Sequence, residues 1–326
     1  MPRPEVTSLA DEVKFWNILL YADSGTGKTV FAGSDTKVLF IAPEDDGLIS
    51  AQRVNKMSDT QKITIKKYED LIDAYEWYAD HPEELAEYNV LSIDSITRMQ
   101  DMIKDYVLRM GAEEKIRKQQ DHTKMQLQDY GDMHQLLENL VKGFNDLPIN
   151  VLWTATAKKV EDADKNEFLV PDLQGKKEYG IAMKMVSLMT SYGYMRVELH
   201  EVPAPTEDNP ENIKLVKRRV IYWEDTGTIR GKDRTTSLAP FTVNMNLQQM
   251  RRAINGEMVR TKDGRMVKAV EEALSKVRIK APRKASPQKD DVVESSVKAD
   301  DAPPSQVETQ EETKGVAEVE LDDINA

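Results

Sequence analysis

The sequence predicts an α/β fold in which a mostly parallel β-sheet is flanked by helices. Short runs rich in Ile, Val and Leu alternate with longer stretches whose apolar residues recur at helical spacing, which is typical of buried parallel strands and their covering helices. The first of these runs leads into a glycine-rich loop, and a helical pattern follows the loop. The predicted strands are residues 16–21, 38–41, 90–93, 150–154, 192–199 and 216–223, and the last two are candidates for an antiparallel edge.

Two segments between the predicted strands have the apolar spacing of helices that face a core. In residues 68–79 the apolar positions are Leu71, Ile72, Tyr75 and Tyr78. In residues 133–144 they are Leu136, Leu137, Leu140, Val141 and Phe144. Because both stripes are apolar throughout, we assign them to the core and not to a cofactor site.

Composition excludes several classes of protein and site. The 326 residues are 40% apolar, which is ample for one large domain. The chain has no cysteine, so disulfides and cysteine-based zinc sites are excluded, and its four histidines show no ligand-like spacing. No apolar run approaches the roughly 20 residues that span a bilayer, and the first residues lack the apolar stretch of a signal peptide. We therefore expect a cytoplasmic protein with no membrane partner.

The net charge of −12 is unevenly distributed along the chain. Residues 290–326 contain 12 acidic residues against Lys298 and Lys314, whereas residues 251–289 contain 12 basic and 4 acidic residues. We expect an N-terminal extension (1–15), a folded domain (16–255), a basic helical segment (256–280) and an acidic tail (281–326). The tail has no aromatic residue and too little apolar area to offset chain entropy, so it is predicted to be disordered. It is a solubilising appendage, a mimic of nucleic acid or a docking segment.

A phosphate-binding loop (P-loop) is predicted after the first strand. It consists of Ala22, Asp23, Ser24, Gly25, Thr26, Gly27, Lys28 and Thr29. Consecutive backbone N–H groups of such a loop point at one spot, where the dipole of the following helix also favours negative charge. Lys28 is expected to reach the β and γ phosphates, and the Thr29 hydroxyl to coordinate a magnesium ion. Ala22 replaces the usual first glycine at the border of the strand, where alanine is compatible. The loop predicts that ATP and Mg²⁺ bind here.

Two further predicted strands lead to carboxylates. The strand at residues 90–93 is followed by Asp94, which is placed to hold the metal through water. The strand at residues 38–41 is followed shortly by Glu44, a candidate for orienting the water that attacks the γ phosphate. The alternative for Glu44 is a helix-capping or solvated acid.

Together, the P-loop, the strand before Glu44 and the strand before Asp94 and Ser95 resemble the RecA/Rad51-like ATPase core. The closer resemblance is to the single-domain RecA-like P-loop ATPases encoded by bacteriophages, which act in DNA recombination and single-strand annealing. It covers about residues 16–254. This resemblance implies that Glu44 activates water and that Asp94 and Ser95 form the pair on the magnesium side.

The resemblance also implies roles for three later residues. Thr156 falls where related proteins carry a glutamine or histidine that senses the γ phosphate, and it departs from that pattern. Lys232 and Arg234 resemble an element that such ATPases extend into the nucleotide of a neighbouring subunit, which implies a homo-oligomer, either a ring or a filament. The alternative for Lys232 and Arg234 is a solvated turn.

Single-stranded DNA is the partner that the resemblance implies, and a single-stranded-DNA-binding protein is a candidate partner of the acidic tail. Basic residues lie in loops expected at the carboxyl ends of strands, where they can neutralise backbone phosphates. They are Lys115, Arg117, Lys118, Lys124, Lys158, Lys159, Lys165, Lys176 and Lys177. Aromatic residues for base stacking are scarce there, with Tyr130 and Tyr179 as candidates. The alternative is a pair of solvated loops.

The sequence therefore predicts an ATP-hydrolysing protein that acts on single-stranded DNA in phage recombination, annealing or repair. Three alternatives stay open at this point. They are a hexameric helicase or helicase loader, a P-loop kinase of small molecules, and a protein that uses ATP as a switch without hydrolysing it.

Overall fold

The computed structural model describes residues 15–43, 46–55, 59–113, 124–174, 180–204, 212–260 and 266–268. Several predicted features lie outside these residues. They are the acidic tail, nearly all of the N-terminal extension, most of the basic segment, Glu44, Lys115, Arg117, Lys118, Lys176, Lys177 and Tyr179.

The predicted α/β fold is confirmed. The strands are β1 (Asn17–Ala22), β2 (Val38–Ala42), β3 (Gln61–Thr64), β4 (Val90–Ile93), β5 (Asn150–Glu161), β6 (Glu167–Pro171), β7 (Ser191–Pro203), β8 (Ile213–Tyr222), β9 (Lys232–Asp233), β10 (Phe241–Val243), β11 (Met258–Arg260) and β12 (Met266–Lys268). Within the described residues, the first ten strands form one sheet in the order β10-β8-β7-β1-β5-β4-β2-β3, with β6 paired to β5 and β9 to β7. The strands from β3 to β7 in this order are parallel, and β8 and β10 are antiparallel. Strands β11 and β12 form a separate two-stranded sheet in the described part of the chain.

Helices cover both faces of the sheet. They are α1 (Lys28–Ala32), α2 (Asp46–Asn55), α3 (Tyr68–Asp80), α4 (Ile96–Glu113), α5 (Leu127–Asn145), α6 (Gly180–Ser187) and α7 (Leu247–Ile254), with a 3₁₀ helix at Pro82–Glu87. Helices α3 to α6 contribute to one apolar cluster, whereas α1 and α7 contribute to a second cluster on the other face. No helix in the described part of the chain is long and apolar enough to cross a membrane.

Local patterns predicted the centres of the elements better than their ends. The two predicted helices are α3 and α5, and α5 begins at Leu127, six residues before the predicted start. Strand β5 continues to Glu161 because its outer half pairs with β6, a local hairpin with mixed burial. Strands β7 and β8 are antiparallel as expected, but they do not form the edge, since β10 pairs with the outer side of β8.

Candidate functional site

The P-loop connects the carboxyl end of β1 to the first residue of α1. Gly25 and Gly27 have φ values of +77° and +101°, in the region where residues with a Cβ are strained. Gly27 is the N-cap of α1, and no side chain caps the first turn. The predicted sequence context of strand, loop and helix is therefore present, and its glycines occupy the positions that need them.

Lys28 folds back over this loop. Its Nζ donates hydrogen bonds to the carbonyl oxygens of Ala22 and Asp23, each at 3.0 Å. Burial lowers the pKa of Lys28 from its ordinary value, and the nearby carboxylates of Asp94 and Asp23 oppose this effect. The ammonium group is thus held at the loop by two backbone oxygens. Phosphate oxygens are hydrogen-bond acceptors too and could take their place.

Three oxygen-bearing side chains meet beside the loop. The Thr29 hydroxyl donates to Oδ2 of Asp94 at 2.6 Å, and the Thr154 hydroxyl donates to Oδ1 of the same carboxylate at 2.5 Å. This contact follows from the strand order: β5 lies between β1 and β4, so Thr154 on β5 reaches the carboxylate that follows β4. Both oxygens of Asp94 are therefore oriented by hydroxyl groups.

Thr154 is a site residue that the sequence analysis did not assign. It is fully buried in the middle of β5, where its neighbours Trp153 and Ala155 are apolar and also buried. A hydroxyl in a buried strand needs a hydrogen-bond partner. That single polar position was the signal in the sequence, but the partner, 60 residues away in the chain, becomes visible only in the fold.

A tyrosine on β7 holds Asp23 at the start of the loop. The Tyr194 hydroxyl donates to Oδ2 of Asp23 at 3.1 Å. Burial, reinforced by the Asp23 carboxylate, raises the pKa of Tyr194 to about 12. The tyrosine therefore fixes the strand-proximal end of the loop on the side away from Asp94.

The residues present fit both ATP and magnesium. Hydroxyl and carboxylate oxygens, as in Thr29 and Asp94, are the ligands that Mg²⁺ prefers. Lys28 and the backbone N–H groups of an uncapped helix start suit phosphate oxygens. The carboxyl end of β2 also lies beside this group, since the Asp94 N–H donates to the Ile41 carbonyl at 3.1 Å. Glu44 itself lies outside the described residues, so its role stays a prediction.

Ser95 and Thr156 lie at the same edge of the sheet. Ser95 follows Asp94 through a cis peptide bond, and its hydroxyl accepts a hydrogen bond from the Arg98 N–H at the start of α4. Thr156 pairs with Ala22 across β1 and β5, and its N–H donates to the Thr97 hydroxyl at 3.2 Å. Thr156 is therefore beside the start of the loop, and its role as a sensor of the γ phosphate stays a prediction.

Lys232 and Arg234 lie away from the loop of their own chain. Lys232 pairs with Tyr192 on β7, and the Arg234 N–H donates to the Thr190 carbonyl. Thr190 also binds Asn17 at the first residue of β1, whereas the P-loop follows the last residue of that strand. The contact of Lys232 and Arg234 with the nucleotide of a neighbouring subunit stays a prediction.

The basic residues after Thr154 are partly engaged within the chain. Lys158 donates to the Leu173 carbonyl at 2.8 Å, and Lys159 forms an ion pair with Glu167 across the β5–β6 hairpin. Lys165 adopts a φ of +61° in the turn of this hairpin. The structure therefore corrects the predicted loop, since Lys158 and Lys159 belong to β5 itself, in a β5–β6 hairpin whose Val160, Phe168 and Val170 side chains are buried in the core.

Removing the Thr154 hydroxyl should weaken metal binding. In Thr154→Val the side chain keeps its volume, but Oδ1 of Asp94 loses its donor. Loss of a group that orients a metal-holding carboxylate typically costs 10–100-fold in metal affinity. We expect the Mg²⁺ concentration that half-activates ATP hydrolysis to rise about tenfold, as measured by magnesium titration. Ser92→Ala is the matched control, since the Ser92 hydroxyl is buried and has no hydrogen-bond partner among the residues that the structure describes. An equal shift in both variants would contradict the assigned role of Thr154.

Comparison with models of protein families yields a match. A family model described as an AAA domain matches residues 14–235, which is more than half of the chain. No curated protein matches this chain. The matched region contains the P-loop, Asp94 and Thr154 together with β9.

Proposed function

This chain belongs to the AAA domain family, and from that premise we propose that it hydrolyses ATP while acting as a homo-oligomer on single-stranded DNA. The observation that carries the nucleotide part is the convergence of Lys28, Thr29 and Asp94 at the carboxyl ends of β1 and β4. The proposed setting is recombination, annealing or repair by a phage-encoded protein in the cytoplasm of a bacterial host.

Each residue of the site has a distinct task in this proposal. Lys28 exchanges its loop carbonyls for phosphate oxygens and offsets their charge. Thr29 supplies a metal ligand, and Asp94 holds the metal through water. When bound, magnesium neutralises charge that develops on the phosphate oxygens. Glu44 orients the attacking water.

The DNA part rests on the resemblance to RecA-like phage ATPases and not on net charge, since the β5–β6 hairpin also carries Glu161, Asp162, Asp164 and Glu167. Lys158, Lys159 and Lys165 lie on the hairpin that follows Thr154 on the same strand. These lysines are the candidates for contacting the phosphate backbone, a kind of contact that does not read sequence. Strand β5 also carries Thr154 and Thr156. Any DNA contact on the hairpin is therefore connected to the nucleotide site through one continuous β-strand. In an oligomer, Lys232 and Arg234 are the candidates for contacting a neighbour's nucleotide.

Steady-state ATP hydrolysis with and without single-stranded DNA tests this proposal. We expect single-stranded DNA to raise the rate several-fold, more than equal amounts of duplex DNA or single-stranded RNA. Stimulation should fall as salt rises, because backbone contacts release counterions. Hydrolysis that is indifferent to every nucleic acid would contradict the DNA part and leave the ATPase part standing. Stimulation by single-stranded RNA alone would indicate that the protein acts on RNA and not on DNA.

Glu44→Gln should separate ATP binding from hydrolysis. If Glu44 orients the attacking water, its replacement by an amide lowers the hydrolysis rate about 100-fold or more, in the range found for lost general bases. The affinity for ATP should stay within about twofold, because the phosphate-binding groups are unchanged. Asp45→Asn is the control, since it removes a neighbouring charge. Wild-type activity in Glu44→Gln would show that another group orients the water.

A further inference from the structure

An arginine from β8 lies against the P-loop. Nε of Arg219 donates a hydrogen bond to the Thr26 carbonyl at 3.2 Å. A Cβ added at Gly27 would lie only 2.8 Å from this Nε and 3.1 Å from Nη2. Glycine at position 27 thus serves a second purpose besides its positive φ, since it lets the guanidinium group approach the loop closely.

The backbone of Arg219 is held in place from the following loop. Its N–H donates to Oδ1 of Asn244 at 2.9 Å, and its carbonyl accepts from the Asn244 N–H at 2.7 Å. The side chain, in contrast, is exposed. A long cationic side chain that leaves a fixed backbone and reaches the P-loop can contact a ligand there while the strand stays in place.

Val197 stands directly opposite Arg219. The two residues pair across β7 and β8, so their side chains leave the same face of the sheet. The next pair inward on this face, Met195 and Ile221, is buried in the cluster that α1 and α7 cover. Val197 is instead 47% exposed. Helices α1 and α7 therefore no longer cover this face of the sheet at the pair Val197 and Arg219, which lies beside the P-loop.

The direction of a bound nucleotide follows from the strand order. Thr29, Asp94 and Thr154 mark the metal end of the site, and they lie on the side of β1 that faces β5 and β4. A magnesium ion held by these residues would draw the β and γ phosphates to that end of the site. Strands β7 and β8 lie on the opposite side of β1. The remaining part of the nucleotide therefore belongs on that side, next to Arg219.

From these contacts, and resting on the proposed binding of ATP, we propose that Arg219 and Val197 form the subsite for the nucleoside end of the nucleotide. The planar guanidinium group stacks on the base, since guanidinium planes favour the faces of aromatic rings. The isopropyl group of Val197 supplies the adjoining apolar surface. The subsite acts on ATP and ADP alike, because both carry the same nucleoside.

Calorimetric titration of the full chain with Mg-ATP and Mg-ADP tests this subsite. Arg219→Gln should raise the dissociation constants of both nucleotides about tenfold, within the range of cation–π contacts in a partly desolvated site. Arg218→Gln is the matched control, since Arg218 is the adjacent residue on β8 and points to the opposite face. It should change neither constant more than about twofold. Weakening of ATP alone would place Arg219 at the γ phosphate and overturn the proposal, as would unchanged affinity for both nucleotides.

Photolabelling of the wild-type chain with Mg-8-azido-ATP locates the base without any variant. We expect the label on peptides of β7 or β8 that contain Val197 or Arg219, and excess ATP should prevent it. A label confined to peptides from other strands would overturn the subsite even if Arg219→Gln weakens binding. Failure of the wild-type chain to bind ATP in the titration would contradict the proposed function itself and the subsite with it. Binding with a label elsewhere would contradict the subsite alone.

Discussion

Lys28→Ala is expected to lower the rate of ATP hydrolysis at least about 100-fold. Nζ of Lys28 lies at the mouth of the P-loop, 3.0 Å from the carbonyl oxygens of Ala22 and Asp23. Alanine offers no charge to offset the phosphate oxygens, and loss of one preorganised electrostatic group in a site typically costs 10²–10³ in rate. Steady-state hydrolysis at saturating magnesium measures the effect.

The control for this prediction is Lys66→Ala. Lys66 is exposed and follows β3 at the far edge of the sheet, so its loss changes net charge equally without touching the loop. Its hydrolysis rate should stay within about twofold of wild type. A folded Lys28→Ala protein with wild-type activity would contradict the assignment of this loop as the catalytic site.

Arg251→Ala is expected to destabilise the domain by about 3–5 kcal/mol. The side chain of Asp35, which follows α1, is completely buried, and that of Arg251 on α7 is 16% exposed. Two hydrogen bonds join them, from Nε to Oδ2 at 2.5 Å and from Nη2 to Oδ1 at 3.1 Å. The hydrogen bond to the Asp35 carboxylate raises the pKa of Arg251 above its ordinary value. Removal of the guanidinium group leaves a buried carboxylate without its cation, which is costly because burial deprives it of water. Urea denaturation followed by tryptophan fluorescence measures the loss.

Arg252→Ala is the matched control for this ion pair. Arg252 is the next residue on α7, and its partner Glu257 lies at 3.2 Å, but both side chains are about half exposed. Exposed pairs contribute at most about 1 kcal/mol, so the variant should stay near wild-type stability. The double variant Asp35→Asn with Arg251→Met should recover part of the loss, since it removes the orphaned charge. Equal stability of Arg251→Ala and Arg252→Ala would contradict the importance of the buried pair.

Short-range patterns in the sequence were sufficient for the fold class, for the glycine-rich loop and for the strand that leads to Asp94. Each depends on residues that are neighbours in the chain. An apolar run of four to six residues predicts a buried strand, and glycines at fixed offsets before Lys28 predict the turn into α1. The strand before Asp94 was recognisable for the same reason. Glu44, by contrast, remains a prediction from its place after β2.

Contacts between distant segments were beyond the reach of these patterns. The pairing of Thr154 with Asp94 depends on β5 entering the sheet between β1 and β4, an order that no local pattern specifies. The approach of Arg219 to Gly27 joins residues from β8 and the loop after β1.

The sequence by itself therefore determined the fold class, the glycine-rich loop and the strand that leads to Asp94, because strand, turn and helix preferences act over a few residues. Only the tertiary structure decided which strand lies between β1 and β4, which hydroxyls hold Asp94, and that Arg219 reaches the P-loop of its own chain. These outcomes follow from strand order and side-chain burial, which are properties of the whole packed domain.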